Sequence, residues 1–235
     1  MRRVTFLSVA AAAALALLGE PALLPAQTAP TERELQIYAG LHAAAANGDV
    51  AEIEKLIAEG EKPNIQDSNS RTPLHVAVFR RHHAAAQALL RLGANPNAMD
   101  GQRYDIVTIA AVQNDLEMLK IALGGGGSAR NITSQYDGTA LIASAHLGHV
   151  EIVRTLIEAK APLDHVNNLG WTALIEAVVL GNGDKNHIDV VEALVKAGAD
   201  VDIKDRQGST ALAHARQRGY ADMVKILTPA SGRRT

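Results

Sequence analysis

Apolar positions return along this chain at a long, regular interval. A frame set on Leu74 in "RTPLHVAVFRR" finds equivalent anchors at Leu41, Val107, Leu141, Leu174 and Leu212, with successive separations of 33, 33, 34, 33 and 38 residues. Seven positions after the anchor comes a residue that ends a helix or forms a turn: Gly48, Asn114, Gly148, Gly181 and Gly219, with Arg81 the exception. Second apolar runs follow, as in "DVAEIEKLI", "DLEMLKIAL", "HVEIVRTLI", "HIDVVEALV" and "YADMVKIL". Their apolar residues three and four apart lay one stripe along a helix. Then "EGEKPNIQD", "RLGANPNAMD", "EAKAPLDHVNN" and "KAGADVDIKD" supply the Gly, Pro, Asn and Asp that reverse a chain. The pattern predicts helix, tight turn, helix and extended turn, repeated in six units at approximately 31–66, 67–99, 100–133, 134–166, 167–204 and 205–228. One such unit cannot bury both helix faces, so stacking has to supply the core.

"TPLHVA" at 72–77, "TALIAS" at 139–144, "TALIEA" at 172–177, "LGHVEIVRTLIEA" at 147–159 and "KAGADVDIKD" at 196–205 resemble ankyrin repeats, and the resemblance covers residues 31–228. It implies an all-α ankyrin-repeat solenoid of about six helix-turn-helix units joined by extended hairpin-like fingers. It also implies a non-enzymatic scaffold that binds a protein partner through a concave face. Thr72 can cap a helix with its hydroxyl, and Pro73 falls at the first helical position, where a missing N–H costs nothing. His75 resembles the family histidine that hydrogen-bonds neighbouring repeats.

Several departures stand out. The first unit lacks Thr-Pro; Thr31 with Glu34 forms a capping-box pattern opening a helix expected to run to Ala46. The third unit has Asp105-Ile106-Val107 for Thr-Pro-Leu, and "LGGGGSARNITSQYDG" predicts a flexible or enlarged finger between units three and four. The fifth unit carries extra residues, "NGDKN" at 182–186, expected to form a loop between its helices.

Before the repeats, Met1-Arg2-Arg3 and the apolar run Val4–Leu18, broken by Gly19-Glu20-Pro21, predict a secretory signal peptide over 1–26. The run is short for a membrane span. A linker at 27–30 and a tail at 229–235 complete the expected organisation. The expected product is an exported protein, periplasmic in a bacterium or otherwise secreted, with no stable membrane insertion after cleavage, and a monomer.

Charge and composition narrow the function further. With 23 basic and 25 acidic side chains in 235 residues, the chain lacks the basic footprint that nucleic-acid binding requires. No cysteine is present, which excludes disulfides, thiolate zinc sites and cysteine nucleophiles. There is no "GxSxG", and "GGGGS" at 124–128 lacks the lysine of a phosphate loop, so no catalytic constellation and no cofactor are implied. His146 and His149, three apart, have metal-ligand spacing but no acidic or histidine partner in sequence, and His82-His83 reads as a solvated turn. Glu176 and His214 share one register, two after the anchor, and stacking is expected to pair them as carboxylate and imidazole, either as a structural bond or a pH-sensitive joint. A metal or small-ligand sensor would centre on these groups, and an accessory protein that stabilises or regulates an enzyme in the same compartment is the other alternative to a general scaffold.

In stacks of this family the residue before the Thr position projects from the concave face, and here that place holds Arg71, Tyr104, Gly138, Trp171 and Ser209. Arg, Tyr and Trp are enriched among residues that dominate binding energy. A second strip, before the inter-helix turn, reads Phe79-Arg80, Val112-Gln113, His146-Leu147, Val179-Leu180 and Gln217-Arg218. Arg71, Tyr104, Trp171, Phe79, Val112, His146, Leu147, Val179 and Leu180 are therefore the candidate partner-binding residues, forming an exposed apolar groove.

Overall fold

A computed structural model describes Gln27 and residues 29–230. The expected signal peptide and residues 231–235 of the expected tail lie outside the described residues. A short helix, α1 (Glu32–Ile37), precedes six helix pairs. In chain order these are α2 (Gly40–Asn47) with α3 (Val50–Ala58), α4 (Pro73–Phe79) with α5 (His83–Arg91), α6 (Ile106–Val112) with α7 (Leu116–Gly124), α8 (Ala140–His146) with α9 (Val150–Glu158), α10 (Ala173–Val179) with α11 (Lys185–Ala197), and α12 (Ala211–Gln217) with α13 (Ala221–Leu227).

First helices pack on first helices and second on second, so two helical layers run the length of the stack. The anchors Leu41, Leu74, Val107, Leu141 and Leu174 are fully buried between them with Ile53, Leu89, Leu119, Ile152 and Leu194. Side-chain caps start the first helices: Thr72, Thr139, Thr172 and Thr210 each accept a first-turn N–H. In unit three Asp105 does the same from the N–H of Thr108, which explains how a unit without Thr-Pro keeps its helix.

Hairpins join the units through one repeated device. Oδ1 of Asp67, Asp100, Asn167 and Asp205 accepts the N–H groups two and four residues on. Successive tips are then tied by backbone bonds, Gly101 N–H to the Asn69 carbonyl at 2.8 Å, Ser134 to Arg103 at 2.8 Å and Asn168 to Tyr136 at 2.9 Å.

Four local expectations are corrected. The first helix does not run to Ala46: the capping box of Thr31 and Glu34 forms, but Tyr38 is extended and Gly40 has φ +53°, so the chain breaks before α2. A Cβ at Gly40 would sit 2.9 Å from the Glu61 carboxylate. The glycine run is a packed turn and not a flexible one, because a Cβ on Gly125 would meet Leu90 at 2.6 Å and one on Gly127 the Ala122 carbonyl and Val107 at 2.7 Å. The finger after it is enlarged as expected, closing from Thr133 N–H to the Gly138 carbonyl over one residue more than Asp67 to Arg71. The "NGDKN" residues lengthen a helix instead of forming a long loop: Asp184 caps α11, which has 13 residues where the other second helices have nine or fewer. His82 and His83 are engaged, His82 Nε2 with the Ala46 carbonyl at 3.0 Å and His83 Nε2 with both Asp115 oxygens at 3.0 Å.

Candidate functional site

The hairpins and the C-terminal ends of the first helices place the nine candidate residues, and the structure divides them. Three are core. Arg71 is 2% exposed, held by Glu34 and Asp67. Tyr104 is 9% exposed and Phe79 8%. Phe79 is the last residue of α4 and packs into the core from there. For Arg71 and Tyr104 the physical reason is the hairpin device: the residue before the cap is pinned by its own backbone. Its N–H goes to the hairpin Asp and its carbonyl to a histidine of the preceding unit, with His42 Nε2 at 2.9 Å from Arg71 O and His75 Nε2 at 3.2 Å from Tyr104 O. Burial then pushes the Tyr104 phenol up to about 12, helped by Tyr136 and Asp100. The same bond gives His75 the inter-repeat role expected of it, with burial driving its ionisation down.

The other six, Trp171, Val112, His146, Leu147, Val179 and Leu180, are half-buried. Leu147 and Leu180 are the C-cap residues of α8 and α10, the place taken by Arg80, Gln113 and Arg218 on α4, α6 and α12. Gln113 ties this row to its neighbour through Nε2 to the Phe79 carbonyl at 3.1 Å. Trp171 packs partly against the core, with the Asn167 carboxamide holding its backbone N–H at 3.0 Å.

Behind this row lies Glu176, 5% exposed on α10. It does not take the expected His214 as its partner. Its Oε1 accepts from Asn167 Nδ2 at 2.7 Å, whereas His214 Nε2 meets Asp205 Oδ2 at 2.6 Å. Asn167 and Asp205 occupy the same hairpin position of adjacent units, so each helix residue reaches back to its own hairpin, with polarity reversed: amide to acid in unit five, acid to imidazole in unit six. Burial pushes the Glu176 carboxyl up to about 8, only partly opposed by the Asn167 bond. Asp205 is also pushed up by burial, but bonds from Ser209, His214 and Gln207 outweigh it and leave the carboxyl below its usual range.

His146 Nδ1 lies 3.5 Å from Glu176 Oε2, and burial, with His187 and His149 nearby, lowers its ionisation. His149 Nδ1 is bound to the Ala111 carbonyl at 2.9 Å, and His187 bridges Asp184 and the His146 carbonyl. No group of three or more acidic or histidine ligands that could hold a metal occurs among the described residues.

Sequence reasoning missed two features. Asn167 is the amide that positions the Trp171 hairpin, legible only as an Asn at the place where three other fingers have Asp and the finger leading into α8 has Thr133. Ile132 and Val166, each 44% exposed, stand on adjacent fingers directly before Thr133 and Asn167. Their signal was an apolar residue inside a polar turn.

Stacked helix pairs with hydrogen-bonded hairpin joints define a helical repeat solenoid. The chain belongs to the ankyrin-repeat family: a family model for ankyrin repeats (3 copies) matches residues 22–103 and 107–205. Among curated proteins it is 30% identical over 188 residues to the ankyrin repeat protein YahD of Escherichia coli (strain K12), covering 80% of this chain and 93% of YahD. Among solved structures, an ankyrin repeat domain from Acinetobacter baumannii AYE is 43% identical with a TM-score of 0.78, covering 81% of this chain and 96% of that one. A chain from the complex of the Bd0816 predatory endopeptidase of Bdellovibrio bacteriovorus with the immunity protein Bd3460 shares the fold at 22% identity and a TM-score of 0.68, covering 82% and 98%. No helix among the described residues is long and apolar enough to cross a membrane.

Proposed function

We propose that the protein is a non-enzymatic scaffold that captures a protein partner on its concave face, around Trp171, Val112, His146, Leu147, Val179 and Leu180. The observation that carries this reading is the row of half-buried Leu and Val side chains at the ends of α6, α8 and α10, with a half-buried tryptophan in the hairpin that leads into α10. The surface is rigid before binding, so little ordering entropy is lost on association. The narrower form of the reading is an accessory protein that regulates or stabilises an enzyme in an exported compartment. It draws on the signal-peptide pattern and on the fold-level likeness to an endopeptidase–immunity protein complex.

Trp171→Ala is expected to retain helical content and melt within a few degrees of the parent while losing a protein co-purified from the periplasmic fraction of the native host. Retention of that protein by the variant, or collapse of the melting transition, refutes the site. Cell fractionation separately tests the exported compartment.

A further inference from the structure

Charge is distributed unequally between the two helical layers. The second helices carry acids and bases together, several in pairs one turn apart, such as Lys55–Glu52, Arg154–Glu151, Lys185–Asp189, Lys196–Glu192 and Lys225–Asp222. The first helices carry one acid between them, Glu176, and it is buried. At the hairpin tips the one carboxylate, Asp137, is paired with Arg103 at 2.9 Å, and the Arg206 guanidinium donates to the Asn168 carbonyl.

Along the C-caps of the first helices the order is Arg80, Gln113, Leu147, Leu180, Arg218. Both arginines are exposed, as is Arg216 beside the second, and no carboxylate pairs with any of the three among the described residues. The apolar middle is therefore flanked at both ends by free cations, on a chain whose net charge is −2.

We propose that this face accepts a protein segment with an apolar centre and carboxylates on both sides, the centre lying on Leu147 and Leu180 and the carboxylates meeting Arg80 at one end and Arg218 at the other. This rests on the concave-face reading above and adds the chemistry of the partner. Two physical effects favour it. An acidic segment recovers in Arg–carboxylate bonds what it loses in hydration, with the bidentate geometry that guanidinium allows. A basic segment meets like charge at both ends, which rejects it. His146 sits between the two flanks and is held neutral at physiological pH, so the centre of the row stays uncharged.

The test uses the full chain and three synthetic peptides of equal length that share one leucine-rich centre and carry Glu, Gln or Lys in both flanks. Binding of each peptide is read by isothermal titration calorimetry. The Glu peptide is expected to bind about tenfold or more tighter than the Gln peptide at low salt, with the Lys peptide weaker still. Arg80→Glu and Arg218→Glu should each lower Glu-peptide affinity about fivefold without moving the melting temperature. Lys120→Glu, the same charge change on the exposed side of α7, should have no effect. Equal binding of the Glu and Gln peptides, no binding of the Glu peptide, or equal losses from Lys120→Glu and the arginine variants overturns the charge assignment. The concave-face reading survives those results if Trp171→Ala still loses the native partner. Glu-peptide binding that the combined Leu147→Ala and Leu180→Ala substitutions leave intact overturns the face itself.

Discussion

At the residue scale the telling position is Glu176. A carboxyl that ionises near 4.5 in an unfolded chain and near 8 in the fold keeps its proton across the interval between those values. The folded state then holds one proton more than the unfolded state, so stability falls as pH rises from about 4.5 to about 8 and levels off beyond. Each unit of displacement corresponds to about 1.4 kcal/mol. Glu176→Gln keeps an acceptor for Asn167 and cannot ionise, so the variant should match the parent at pH 4 and melt roughly 5–10 °C higher at pH 8. Thermal melts of both proteins across that range check it; parallel curves would show that Glu176 does not titrate in this window. Asp205 follows the opposite logic: against the effect of burial, bonds from Ser209, His214 and Gln207 hold its carboxyl below the usual range, so its contribution is present at neutral pH and is lost as pH falls through the folded value.

Elements were largely legible and their joints were not. The period, the Thr caps and the capping box at Thr31 could be read directly, because each is a local chemical pattern with its own physical cause. What could not be read is which neighbour a side chain meets in the stack. Tyr104 and Arg71 carry the residue types of a binding surface, yet the hairpin bonds to His75 and His42 pull them inward. Six of the nine candidate positions stay near the surface, and two of the three losses, Arg71 and Tyr104, come from this inter-unit packing. The glycine run shows the same limit, since composition alone reads as linker and only the stack reveals Leu90 and Val107 pressing on it. Two alanine substitutions separate these ideas. Gly127→Ala should destabilise by about 1–3 kcal/mol, because its methyl meets the Ala122 carbonyl and Val107. Gly124→Ala, at the end of α7 with nothing within 4 Å, should be neutral or slightly stabilising. Equal effects in denaturant melts would refute the packed-turn account.

For the whole molecule, each unit contacts only its neighbours, so stability is shared out along the stack and not fixed at one centre. The end units have one partner each. Amide exchange should therefore be slowest in α6 to α9 and faster toward α1 and α13. A uniform rate along the chain would mean that the stack opens all at once. The reversed polar pairs add an evolutionary consequence. Asn167–Glu176 and Asp205–His214 each close inside one unit, nine residues apart. A duplicated or deleted unit thus carries these two bonds with it intact, whereas the pairs that cross a boundary, Glu34–Arg71 and His83–Asp115, fix which units can follow one another at the start of the array.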